Sequence, residues 1–136
     1  VQDGRSIYLD GQLIENAGEH PAFKKALATV ARLYDFQAAP ENEELMTFAS
    51  PNSGGRVNRC WQLPQSHQEL VQRREAITAW AELTFGFMGR SPDHVASSLS
   101  GMAMGIDVFR RGGEDRAKAL MDYFNYVRDN DLFVTY

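Results

Sequence analysis

"GFMGRSPDHVASS", Gly86 to Ser98, is the stretch on which the fold turns. Upstream, "SHQELVQRREAITAWAELTFGFM" (66–88) sets Leu70, Ile77, Trp80 and Thr84 along one helical face, with Leu83 beside them. Ser66 and Glu69 form the S-x-x-E pattern of a capping box at its start. Downstream, Val95, Leu99, Met102, Ile106 and Phe109 recur at spacings of 4, 3, 4 and 3, the period of a second amphipathic helix. Small residues fill that helix (Ala96, Ser97, Ser98, Ser100, Gly101, Ala103 and Gly105) and permit close packing. The quoted stretch is therefore a helix-to-helix turn, and the chain around it reads as mainly α.

The same reasoning extends outward. "RRGG" (110–113) closes the second helix with basic residues in its last turn and glycine beyond. A third helix is expected over Glu114 to Arg128, with Ala117, Leu120, Met121, Phe124 and Val127 facing inward. Near the start, Phe23, Leu27, Val30 and Tyr34 mark a helix that opens near Pro21 and is ended by Pro40. "SIYLDGQLI" (6–14) places Asp10-Gly11 between two β-like runs, a strong hairpin signal. "ELMTFAS" and "GRVNRCWQL" read as extended segments on either side of the "PNSGG" turn. "DLFVTY" (131–136) reads as β-rich and stops without a turn, and Val1 is not an initiator methionine. The expectation is one mainly helical domain over 1–136, with short hairpin and extended segments, forming the N-terminal part of a longer chain.

Composition narrows the function. Of 136 residues, 43% are apolar or aromatic, enough for a core. Net charge is −4 and no long basic run occurs, so nucleic acid is not an expected partner. No stretch is long and apolar enough to span a membrane, and no signal-peptide pattern opens the chain, so a cytoplasmic protein is expected. Cys60 is the single cysteine, and the three histidines lack short ligand spacing, so no metal site is expected. Neither a phosphate-binding glycine loop nor a G-x-S-x-G elbow is present.

The densest polar cluster lies inside the opening stretch. Ser91 suits an N-cap, Pro92 the first helical position, and Asp93 the positive end of the helix dipole. These three are explained by helix formation alone. Arg90 is not, because it adds a cation where free N–H donors already gather. Together they make a place for an anion, a phenolate or a carboxylate oxygen. His94, about one helical turn from Arg90, can present a ring nitrogen to the same ligand. By contrast, His20 reads as a helix-start residue, His67 as solvated, Met102, Met104 and Phe109 as core, and "RRGGEDR" as a solvated corner.

"DGRSIYLDGQLI" (3–14), "HPAFKKALATVARLYD" (20–35), "MGRSPDHVASS" (88–98) and "YFNYVRDNDLFVTY" (123–136) occur in an order that resembles a known family. The chain is similar to the N-terminal domain of the 4-hydroxyphenylacetate 3-monooxygenase oxygenase components, which include chlorophenol, nitrophenol and pyoverdine-chromophore enzymes. The resemblance implies an acyl-CoA-dehydrogenase-like flavoprotein. In such a layout this helical domain precedes a β domain and a C-terminal helical bundle. It further implies a homodimer or homotetramer that takes reduced FAD from a separate NAD(P)H-dependent flavin reductase and uses O2 to hydroxylate a phenol. The family's substrate-binding turn falls on Arg90, Ser91, Pro92, Asp93 and His94. Arg90 would hold the phenol oxygen. Two positions depart: His94 stands where the 4-hydroxyphenylacetate enzymes carry tyrosine, and Tyr136 where they carry histidine. The exchanged pair implies a different phenol and makes Tyr136 a candidate for substrate or flavin contact. Two rivals follow. One is an acyl-CoA flavoprotein such as 4-hydroxybutyryl-CoA dehydratase, whose cysteine-held iron–sulfur cluster Cys60 alone cannot build. The other is a non-catalytic packing or oligomerisation domain.

Overall fold

The computed structural model describes residues 4–86 and 91–134. They fall into two compact units, 1–36 and 37–136. In the first, β1 (Ile7–Leu9) and β2 (Gln12–Ile14) pair antiparallel with Leu9 opposite Gln12, so the loop is the two residues Asp10-Gly11. Both have positive φ, 52° and 77°. That is the requirement of the hairpin turn whose twist matches the strands, and aspartate followed by glycine meets it at least cost. Helix α1 (Pro21–Ala38) begins behind His20, whose Nδ1 accepts from the Ala22 N–H at 3.2 Å and whose ring tilts against Phe23. His20 is thus the helix-start residue the sequence implies. Phe23, Leu27, Val30 and Tyr34 are half-buried, while Leu33 is fully buried.

In the second unit, a 3-10 turn (Pro40–Asn42) leads into a single-turn helix, α2 (Glu43–Met46). β3 (Thr47–Ala49) and β4 (Arg56–Asn58) then pair antiparallel. Ser50 organises the loop between them, its backbone bonding Gly54 and Gly55 and its Oγ accepting from the N–H groups of Asn52 and Ser53. The two extended segments are therefore shorter than the sequence suggests. Glu44 to Met46 are helical, and Arg59–Trp61 form a second 3-10 turn, in which the Asn58 side chain accepts from the Cys60 N–H at 2.8 Å. Arg59 explains the helical end. Its guanidinium donates to the carbonyls of Glu44, Leu45 and Thr47, which a four-residue helix leaves open. Burial lowers the pKa of Arg59, the charge of Arg56 lowers it further, and Glu44 and Glu69 oppose the change.

Four further helices complete the unit: α3 (His67–Leu83), α4 (Pro92–Met104), α5 (Ile106–Arg110) and α6 (Glu114–Asp129). The core gathers Trp61, Trp80, Phe124, Val127, Met46, Ala76 and Ala96, all almost fully buried. Trp61 meets Phe124 edge-on at 6.0 Å between ring centroids. The turn that carries Trp61 packs on both α3 and α4, and α4 packs on α6. Arg128, on α6, is 3% exposed, and its guanidinium lies over the Phe124 ring.

Several expectations are corrected here. The helix after Ser91 is not continuous to Phe109, because it ends at Met104 and Gly105 separates it from α5. Its buried stripe is Pro92, Val95, Ala96, Ser100 and Ala103, so Met102 and Met104 are exposed rather than core. The small side chains face inward because they let α4 lie close to its neighbours. On α3, Leu70 is 52% exposed. The inward stripe instead runs through half-buried Arg73, then Ala76, Trp80 and half-buried Leu83. Leu132 to Val134 form no strand, and Thr135 and Tyr136 lie outside the described residues. The 110–116 corner is solvent-exposed, as its charge implies.

Candidate functional site

Helix α3, which leads into the turn before α4, is closed at both ends. At its start, Ser66 Oγ accepts from the Glu69 N–H at 3.2 Å, and Glu69 Oε2 reaches back to the Gln65 N–H. The far end closes as a Schellman motif: the Gly86 N–H bonds the Ala81 carbonyl at 2.9 Å and the Phe85 N–H bonds that of Glu82 at 3.1 Å. Phe85 and Gly86 have φ of 53° and 71°. Glycine takes that conformation freely, whereas a β-carbon makes it costly for Phe85, which is 88% exposed. Phe85 and Gly86 border a shallow apolar cleft of about 560 Å3 along Ile77, Thr78, Ala81 and Glu82.

Residues 87–90 lie outside the described residues, and so does the candidate Arg90. Ser91 is the N-cap of α4 and Pro92 its first residue. The cap differs from expectation in one respect. The Ser91 side chain makes no bond to the helix backbone, and its hydroxyl donates to Asp93 Oδ1 instead. The Ser91 carbonyl accepts from the His94 N–H at 3.0 Å. Pro92 is buried, while Ser91, Asp93 and His94 are half-buried. Four of the six candidate residues thus stand in succession at the start of a 13-residue helix. Tyr136, the sixth, is not among the described residues.

Polar residues that the sequence did not single out support this helix. Arg73 donates from Nε and Nη2 to the Cys60 carbonyl at 3.1 and 2.8 Å, and from Nη2 to Ser97 Oγ at 2.8 Å. Burial lowers its pKa, while nearby Cys60 and Asp93 favour its charged form. At the exit of α6, Gln37 Nε2 donates to Asp131 Oδ2 at 2.5 Å and Asn58 Nδ2 donates to Gln37 Oε1. Burial pushes the Asp131 carboxyl up, and the Gln37 bond opposes this. Burial also pushes the Cys60 thiol up, which keeps it neutral inside the core. None of these arginines and amides shows in hydrophobic periodicity, because their partners are backbone carbonyls and side chains remote in sequence.

The family model described as 4-hydroxyphenylacetate 3-hydroxylase N terminal matches residues 1–136. The chain belongs to that family. It is 34% identical over 131 residues to a 4-hydroxyphenylacetate 3-monooxygenase oxygenase component from Geobacillus sp., with 96% of the chain and 26% of the relative covered. Among solved structures it is similar to the oxygenase component (HpaB) of 4-hydroxyphenylacetate 3-monooxygenase complexed with FAD and 4-hydroxyphenylacetate. That match has a TM-score of 0.82 and 33% identity over 91% of this chain and 25% of the other. An archaeal 4-hydroxybutyryl-CoA dehydratase from N. maritimus shares the fold at TM-score 0.74 and 20% identity, over 93% of this chain and 25% of the other. The chain therefore has an acyl-CoA-dehydrogenase-like helical fold, and it spans about a quarter of the length of the relatives it matches.

A flavin makes definite demands, among them donors for a diphosphate and a wall for the isoalloxazine ring. Ser91 to His94 offer a hydroxyl, a carboxylate, an imidazole and a buried proline ring, with no Lys or Arg. By themselves they supply no cation for a diphosphate and do not hold FAD.

Proposed function

We propose that this domain is the helical N-terminal part of the oxygenase component of a two-component flavin-dependent monooxygenase. The enzyme hydroxylates a phenolic substrate using reduced FAD and O2, the flavin coming from a separate NAD(P)H-dependent reductase. It works as a homodimer or homotetramer in the cytoplasm. The observation that carries the reading is the Gly-Arg-Ser-Pro-Asp-His sequence of 89–94, whose last four residues open α4 with Pro92 buried and His94 half-buried. Similarity to an oxygenase component complexed with both FAD and a phenol supports it.

In this reading each residue has a chemical task. Arg90 holds the phenol oxygen and favours its anionic form, which pushes electron density into the ring that accepts oxygen. The N-terminus of α4 adds to the same positive potential. His94 hydrogen-bonds the substrate, and Tyr136 lines the pocket toward substrate or flavin. Ser91 and Asp93 tie down the helix start through their mutual hydrogen bond. The oxidising power comes from FAD and O2, and this domain's part is to bind, orient and ionise the phenol. Histidine in place of tyrosine at position 94 favours a phenol other than 4-hydroxyphenylacetate.

The fold shared with the dehydratase keeps an acyl-CoA reading in view. Cys60 argues against it, since it is the single cysteine and its side chain is sealed in the core. The test uses the full-length protein with reduced FAD, labelled O2 and a panel of phenols. A hydroxylated product carrying one labelled oxygen is expected. No oxygenated product from any phenol, with a thermal shift on adding a CoA thioester, would replace this reading with the acyl-CoA one. A change only in oligomer size or stability on mutating the turn would favour the packing domain.

A further inference from the structure

Arg73 occupies a position on α3 where the inward stripe would ordinarily carry an apolar residue, between Glu69 and Ala76. Burying a cation there is unfavourable unless it is paired and hydrogen-bonded. The pairing joins three elements. Two bonds run to the Cys60 carbonyl, in the 3-10 turn that packs on α3 and α4. A third runs to the hydroxyl of Ser97, on α4. Ser97 follows Asp93 by four residues and His94 by three, so these side chains neighbour one another along the helix. The carboxylate of Asp93 acts on the same guanidinium and accepts from Ser91, the residue that follows Arg90. Arg73 is thus hydrogen-bonded to the second turn of α4, next to the turn that bears Ser91 to His94. Arg74, next to it, is exposed.

We propose that Arg73 is a positioning residue for the substrate site: by anchoring Ser97 to the Cys60 turn it sets the start of α4, and with it where His94 meets the phenol. The inference rests on the functional reading above. Fixed placement of binding groups matters steeply, because displacement by about 1 Å costs up to roughly a hundredfold in rate. A lysine keeps the charge but cannot serve both the Cys60 carbonyl and Ser97 with a planar fork, so it restores the function only in part.

The test compares Arg73→Gln, Arg73→Lys, Ser97→Ala and the control Arg74→Gln in the full-length protein with reduced FAD. Arg73→Gln is expected to raise KM for the phenol about tenfold, with kcat changed less. Ser97→Ala and Arg73→Lys fall between it and the wild type, and Arg74→Gln matches the wild type. O2 consumption without phenol stays unchanged in all of them, and amides of 91–97 exchange hydrogen faster in Arg73→Gln and Ser97→Ala. A lowered Tm with unaltered KM and unaltered exchange at 91–97 would leave Arg73 a packing residue and overturn the proposal. Absence of phenol turnover in the wild type would refute the functional reading alone. The exchange at 91–97 would then decide whether Arg73 positions the helix.

Discussion

Arg128 and Asp129 are neighbours in sequence and partners in space. Asp129 accepts from Arg128 Nε at 2.8 Å and Nη2 at 3.0 Å, and from Ser50 Oγ at 2.6 Å. The hydrogen bonds from Arg128 hold the Asp129 carboxyl below its ordinary value of 3.8, against the effect of burial and with help from Ser50 and the Arg128 charge. A depressed carboxylate stabilises the fold above 3.8 and loses that contribution as pH falls through the folded value. Asp129→Ala leaves the buried Arg128 unpaired and is expected to cost about 3–5 kcal/mol by urea unfolding at neutral pH. Asp131 has the opposite sign. Its carboxyl is raised by burial, so it favours the fold below 3.8 and loses that contribution as pH rises through the higher folded value. Asp131→Asn keeps an acceptor for Gln37 and tolerates φ of 46°. Its Tm is expected to match or exceed the wild type at pH 7, the gap closing toward pH 3.8, and a Tm well below wild type at pH 7 would contradict this. At the site, His94→Tyr is expected to shift preference toward 4-hydroxyphenylacetate, read as the ratio of kcat/KM values across a phenol panel. Of these residues only His94 was legible in sequence, because it breaks a recognisable turn. Arg73, Asn58 and Arg128 look like surface residues until the elements that bury them are in place.

At the scale of the element, local chemistry was the readable part. Ser66→Ala removes the bond to Glu69 N–H and is expected to cost roughly 1 kcal/mol, measured by thermal or urea unfolding. The Asp10-Gly11 hairpin, the start of α1 at Pro21 and the span of α6 all follow from turn residues, caps and a clear apolar period. Misplaced faces have tertiary causes. Leu70 faces out and Arg73 faces in because the Cys60 carbonyl draws the guanidinium inward, and periodicity treats every arginine as exposed. On α4 the small residues outrank the methionines for burial because close approach to the Trp61 turn and α6 excludes long side chains. The β-prone "DLFV" pairs with no strand among the described residues, so composition alone did not make it a strand.

For the whole molecule, mainly helical architecture was readable from four amphipathic periods, whereas the division at residue 36 was not, since α1 runs across it without a break in pattern. No helix among the described residues is long and apolar enough to cross a membrane. The chain covers about a quarter of the length of its relatives. The proposed function requires Arg90 to hold the phenolate. The direct measurement is kcat/KM for phenol hydroxylation by full-length Arg90→Ala with reduced FAD, beside its oligomer size. A fall of about 100-fold or more with the oligomer intact is expected on removing a fixed charge at a reacting oxygen. Unchanged kcat/KM across the phenol panel would contradict it.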